Sequence, residues 1–224
     1  MVDFDDVLRS AARLQELVPD AVLEGGSAAV LYARHRTSFD HDHVLADLTH
    51  RFDAVLEALD SDPEWVLNRA VPGKILLGSL GEIEVGIRQL IRRRPLETQT
   101  VNVPGGGSVV APTPEETLRI KAYLLVKRNQ TRDYIDVAAL ADRFGTPWAA
   151  ETLADIDRYY DEGEPGENTV AAQLLRQLSE PRPADSRTTT KLGQYKNLDP
   201  KWQSWSTIVA QCQAVADAML TVEG

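Results

Sequence analysis

Proline 112 marks a change in the hydrophobic period of the chain, and that change does most to limit the folds open to it. Before Pro112, short apolar runs separated by turn residues alternate with helical segments. After it, apolar residues recur almost only at helical spacing. Val7, Leu8, Ala11, Leu14 and Leu17 mark an amphipathic helix over residues 5–18. A short strand from Ala21 ends in Gly25, Gly26 and Ser27, helical spacing resumes over 28–36, and residues 37–44 read as extended. Val44, Leu45, Leu48, Phe52, Val55, Leu56 and Leu59 predict the next helix, stopped at Pro63. Residues 74–80 and 82–91 read as a hairpin turning near Gly81. The runs 101–103 and 109–111 flank a second turn at Gly105–Gly107. Thr113, Pro114, Glu115 and Glu116 form a capping-box start. Helices follow over 117–127, 132–144, 148–160, 170–178 and 202–220, with a surface loop predicted over 179–200. The expected class is α+β: a small mixed sheet flanked by helices over residues 1–112, then a helical domain over 113–224.

Within the first half, Ser38, Asp40 and Asp42 alternate along an extended segment and so share one face. Two adjacent carboxylates repel, and a divalent cation removes that cost. Mg²⁺ takes one or two carboxylates together with substrate phosphate oxygens, which suits phosphoryl or nucleotidyl transfer. An isolated Asp-x-Asp is more often a solvated turn. Here Gly25, Gly26 and Ser27 stand upstream at a strand-to-helix junction, where backbone N–H groups and a hydroxyl can cradle nucleotide phosphates.

Gly25, Gly26 and Ser27, followed by Arg36, Thr37, Ser38, Phe39, Asp40, His41 and Asp42, resemble the first motif of the DNA polymerase β-like nucleotidyltransferases. Within that superfamily the sequence is most similar to the AbiEii/MenT group of toxin–antitoxin and phage-abortive systems. Leu118 to Lys121, then Arg132, Asp133 and Asp136, match a second motif, and the segment from Tyr195 and Lys196 to Trp202 a softer third. The resemblance implies that Asp40 and Asp42 hold Mg²⁺ or Mn²⁺. It also implies that Gly25, Gly26, Ser27, Ser38, Lys121, Arg132 and Asp133 contact an NTP, and that Asp136 orients Lys121 or the nucleotide. The implied reaction is transfer of an NMP to an acceptor hydroxyl at the 3′ end of tRNA, with growth inhibition as its result and a cognate antitoxin as partner. Read from the residues alone, Lys121 is better taken as a solvated helix lysine, and Arg132 with Asp136 as a surface ion pair.

One departure stands out. A third metal-binding acid is expected on the strand beside Asp40 and Asp42. On the strand over 81–88, Ile83, Val85 and Ile87 form one face and Glu82, Glu84, Gly86 and Arg88 the other. Gly86 falls where the acid belongs, and Glu84 is the nearest substitute.

Other patterns carry less. His35, His41, His43 and His50 invite a zinc reading, but His41 and His43 face away from the aspartates and the single cysteine, Cys212, reads as core. Trp202 and Trp205 read as helix packing. For Arg92, Arg93 and Arg94, a solvated strand end and an RNA contact are both open. A net charge of −10 argues against a broadly basic nucleic-acid surface. No signal peptide or membrane-spanning run is evident, which fits the cytoplasm. Two rivals remain: nucleotidyl transfer to a small molecule or a protein side chain, which the acidic balance fits slightly better, and a degenerate nucleotide-binding or interaction module.

Overall fold

The computed structural model describes residues 2–92, 94–160, 169–195 and 197–222. Arg93 and Lys196, named above, lie outside them. The chain divides into two compact units: Met1–Leu31 with Thr37–Thr113, and Tyr32–Arg36 with Pro114–Gly224. The five residues 32–36 thus belong with the helical part of the chain.

The first unit opens with α1 (Phe4–Leu17), started by a reciprocal cap in which Asp3 and Asp6 each accept the other's backbone N–H. Then come β1 (Val22–Glu24), α2 (Gly25–Ala33), β2 (Asp40–Leu45), α3 (Leu48–Asp60), β3 (Trp65–Val71), β4 (Ile75–Leu80), β5 (Ile83–Gln89), β6 (Thr98–Asn102) and β7 (Ser108–Pro112). Five strands make a mixed sheet in the order β1-β2-β5-β4-β3, in which only β2 and β5 run parallel. The strands β6 and β7 form a separate hairpin. Leu14, Leu45, Leu48, Val55, Leu59, Leu76, Val85 and Ile87 pack in one core cluster, and Leu8, Ala11, Leu23, Val109 and Ala111 in another.

Three sequence expectations change here. Val44 and Leu45 end β2 rather than opening a helix, because both are buried in the sheet. The strand β3 was not foreseen: apart from its ends it is exposed, so its side chains show no alternation. Gly25 and Gly26 lie in the first turn of α2 rather than in a turn before it.

The second unit contains α4 (Pro114–Arg128), α5 (Thr131–Phe144), α6 (Thr146–Ala154), α7 (Val170–Ser179) and α8 (Trp205–Val222). Its core joins Leu118, Leu125, Tyr134, Leu140, Leu153, Leu174, Trp202, Ile208 and Cys212. Trp205 meets Tyr134 edge-on at 5.8 Å. Burial pushes the Cys212 thiol up to about 12, as befits a core residue. The helix expected over 148–160 ends at Ala154, before a 3₁₀ turn at Ile156–Arg158. The stretch expected as loop carries 3₁₀ segments at Ser186–Gln194 and Pro200–Trp202, anchored by buried Leu192 and Leu198. Among the described residues no helix is long and apolar enough to cross a membrane.

Candidate active site

Strand β2 presents two chemically opposite faces. Asp40 and Asp42 are half-buried on one, while His41 and His43 are buried on the other. Ser38 Oγ donates to Asp40 Oδ1 at 3.1 Å. Arg88 on β5 stands 3.7 Å from Asp42 Oδ1, close enough to attract that carboxylate without a hydrogen bond.

Backbone room, rather than a rich set of donors, positions Asp42. Gly25, at φ +73°, lies so close that a Cβ added there would stand 3.0 Å from Asp42 Oδ2 and 3.2 Å from its Cβ. Gly86 is the register partner of Asp42 across the parallel β2–β5 pair, and a Cβ there would come within 3.0 Å of Asp42 Oδ1. The carboxylate therefore fits between two glycines. The position where a third acid was expected is the space that Asp42 leans over, so any side chain at residue 86 collides with it. Glu84 is the register partner of Asp40 but is exposed. Among the described residues no three His, Cys, Asp or Glu side chains gather in a group that could hold a metal ion. Two carboxylates still match what Mg²⁺ takes from a protein when substrate phosphates complete its shell.

Ser27 is buried and its hydroxyl donates to the backbone carbonyl of Asp40 at 2.5 Å. Its single proton therefore stabilises the start of β2. The groups at the start of α2 left to meet an anion are backbone N–H groups.

On the other face, His41 Nε2 meets Ser10 Oγ at 2.9 Å, and the two Nδ1 atoms of His41 and His43 face each other at 3.4 Å. Burial holds both imidazoles neutral. The His41 ring is lowered to about 4 and His43 well below its ordinary value. Among the described residues His43 Nε2 has no hydrogen-bond partner.

The second unit gathers its own constellation around Asp136 on α5. His35 Nε2 meets Asp136 Oδ1 at 2.7 Å, and Arg36 reaches both carboxylate oxygens at 3.0 and 3.3 Å. Lys121 on α4 meets Oδ2 at 2.9 Å. All four residues are buried. Burial alone would raise the Asp136 carboxyl, but Arg36, Lys121 and His35 outweigh it and hold it well below the usual range. Burial lowers His35 despite its acidic neighbour. Asp133 is buried against Arg128 at 2.6 Å, and desolvation raises its carboxyl. Arg132, expected among the nucleotide contacts, is exposed on the first turn of α5. Sequence reading missed His35 and Arg36 as members of this cluster, since they sit a hundred residues from Asp136. In the first unit, Arg92 bonds the carbonyls of Arg94 and Pro95.

The mixed sheet, its parallel central pair with two aspartates on one strand and a helix starting beside them, followed by a helical unit, is the nucleotidyltransferase fold. Among solved structures, the nucleotidyltransferase toxin MenT4 of Mycobacterium tuberculosis matches 97% of this chain and 82% of its own with a TM-score of 0.54 at 16% identity. A nucleotidyltransferase of H. pylori, described as such by inference, matches 96% and 98% at a TM-score of 0.48 and 16% identity. No family model matches. Curated relatives are 40% identical over 129 residues, or 58% of this chain: the mycolic acid-containing lipids exporter MmpL11 of Mycolicibacterium smegmatis and the heme uptake protein MmpL11 of Mycobacterium tuberculosis. The match spans 13% of each of them.

Proposed function

We propose that the chain is a nucleotidyltransferase that moves an NMP from an NTP to an acceptor hydroxyl, at the 3′ end of tRNA. We propose further that it acts in the cytoplasm as the toxin of a toxin–antitoxin pair. The observation that carries this reading is the pair Asp40 and Asp42, side by side and half-exposed on β2, with the start of α2 against Asp42. The fold shared with MenT4 and the motif resemblance point the same way.

Asp40 and Asp42 would hold Mg²⁺ or Mn²⁺, which when bound neutralises charge at the α-phosphate and favours loss of the acceptor's proton. Backbone N–H groups of Gly25, Gly26 and Ser27 would hold the terminal phosphates. The acceptor oxygen forms its bond to the α-phosphorus as the bond to pyrophosphate breaks, and the hydroxyl proton passes to solvent. Within the second unit, the 2.9 Å pair of Lys121 and Asp136 supports the orienting role expected of Asp136.

Incubation with each labelled NTP, Mg²⁺ and total tRNA tests the reading. Label on tRNA, abolished by Asp42→Ala, is the expected result. Label only on a small molecule or a protein would replace the acceptor. No transfer, with wild type and Asp42→Ala alike in nucleotide binding, would sink the enzyme. The space taken up over Gly86 favours one alternative, a nucleotide-binding module with weakened or no catalysis.

A further inference from the structure

The segment predicted as a loop is instead a pinned strap on the second unit. Asp185 accepts from both the backbone N–H and the hydroxyl of Thr131 at 2.7 and 2.8 Å. Ala184 N–H donates to the Asn129 carbonyl at 2.7 Å, and the Asn129 amide donates to the Arg182 carbonyl at 2.8 Å. Leu192 inserts into the core. Held in this way, the strap lines a groove of about 360 Å³ with Arg187, Thr188, Lys191, Gln194 and Tyr195.

The cations of this groove differ from others nearby. Lys201 is spent on Asp142 and Arg182 on Glu180. Among the described residues neither Arg187 nor Lys191 pairs with an acid, and both are exposed. In a chain of net charge −10, two such cations on one ordered strap offer an anion a local point of attachment. Both line the same groove, and two cations following one another along a strap suit successive phosphates of an extended strand. Tyr195 packs part of its ring against the core and lines the groove with the rest, which gives a base a partial surface to stack on, and Thr188 and Gln194 add hydrogen-bonding groups.

We propose that this groove binds the phosphate backbone of a single-stranded polynucleotide; the identity of that strand as the acceptor rests on the function proposed above. The test is fluorescence anisotropy of a short labelled oligouridylate with the full chain across a salt series. Arg187→Ala/Lys191→Ala should weaken binding by about tenfold or more and lower the salt slope by about 1.4, since each phosphate contact on a single strand contributes roughly 0.7. Arg158→Ala/Arg176→Ala, which removes the same charge elsewhere on this unit, should leave both unchanged. Charge-keeping Arg187→Lys should bind within about twofold of wild type. Equal binding by wild type and the groove variant overturns the proposal, as does equal weakening by the control. Displacement of the probe by ATP as readily as by unlabelled oligouridylate would mean a nucleotide site and also overturns it. Groove-dependent binding without any transfer sinks the transferase reading alone, and transfer to tRNA with groove-independent binding sinks the groove alone.

Discussion

Replacing Gly86 by alanine tests the central geometric claim, that Asp42 occupies the space a glycine leaves open. The added Cβ would come within 3.0 Å of Asp42 Oδ1, so the carboxylate must move by about 1 Å or turn away from its rotamer, at a cost of roughly 0.5–1.5 kcal/mol. Turning is constrained on the other side by Gly25, whose backbone hugs the same side chain. Against this, alanine is favoured over glycine within a strand by about 0.5–1 kcal/mol, so the single variant alone changes stability little and is uninformative. A double-mutant cycle separates the two effects. In an Asp42→Ala background the collision with Oδ1 is gone, and Gly86→Ala should be neutral or stabilising. The two backgrounds should therefore differ by about 1 kcal/mol in the effect of the same substitution, read from urea midpoints at constant m-value. Nucleotide transfer gives a second readout, since a misplacement of about 1 Å at a reacting centre can cost roughly a hundredfold. An identical effect of Gly86→Ala with and without Asp42 would refute the argument.

Three further outcomes follow from buried polar and charged groups. Asp136→Asn removes the charge that Arg36 and Lys121 share in the buried cluster and should destabilise by about 3–5 kcal/mol, whereas Lys121→Met leaves Asp136 held by Arg36 and His35 and should cost clearly less in the same urea titration. The unfolded chain takes up a proton at His41 near pH 6.5 while the folded chain resists until about 4. The contribution of His41 is thus complete above pH 6.5 and falls by about 3 kcal/mol toward pH 4, and His41→Gln should make the melting-temperature profile less steep over that window while the buried His43 keeps its own share of the slope. Ser27→Ala removes the donor to the Asp40 carbonyl and should cost about 0.5–1.5 kcal/mol by denaturant unfolding.

Features with a local period were legible in the sequence. The amphipathic stripe of α1, the alternation of β5 and the shared face of Asp40 and Asp42 follow from spacing alone. Contacts that depend on distant chain segments were not. His35 and Arg36 meet Asp136 across a hundred positions, and no pattern near either end announces it. The strand β3 escaped because pairing with β4, rather than a buried face, sustains it. The polar composition of residues 179–200 suggested a loop because its few anchors, Leu192 and Leu198, are sparse. The doubt at Gly86 was visible as a missing acid, but its cause was not, since only the β2–β5 register places Asp42 beside it.

The alternation of aspartate and histidine along β2 also guards how that strand enters the sheet. Sliding it by one residue against β5 would turn two carboxylates into the core and two imidazoles outward. A mispaired strand would then bury two acids that the correct pairing leaves half in water. The residues proposed for chemistry thereby also disfavour the nearest wrong alignment of β2.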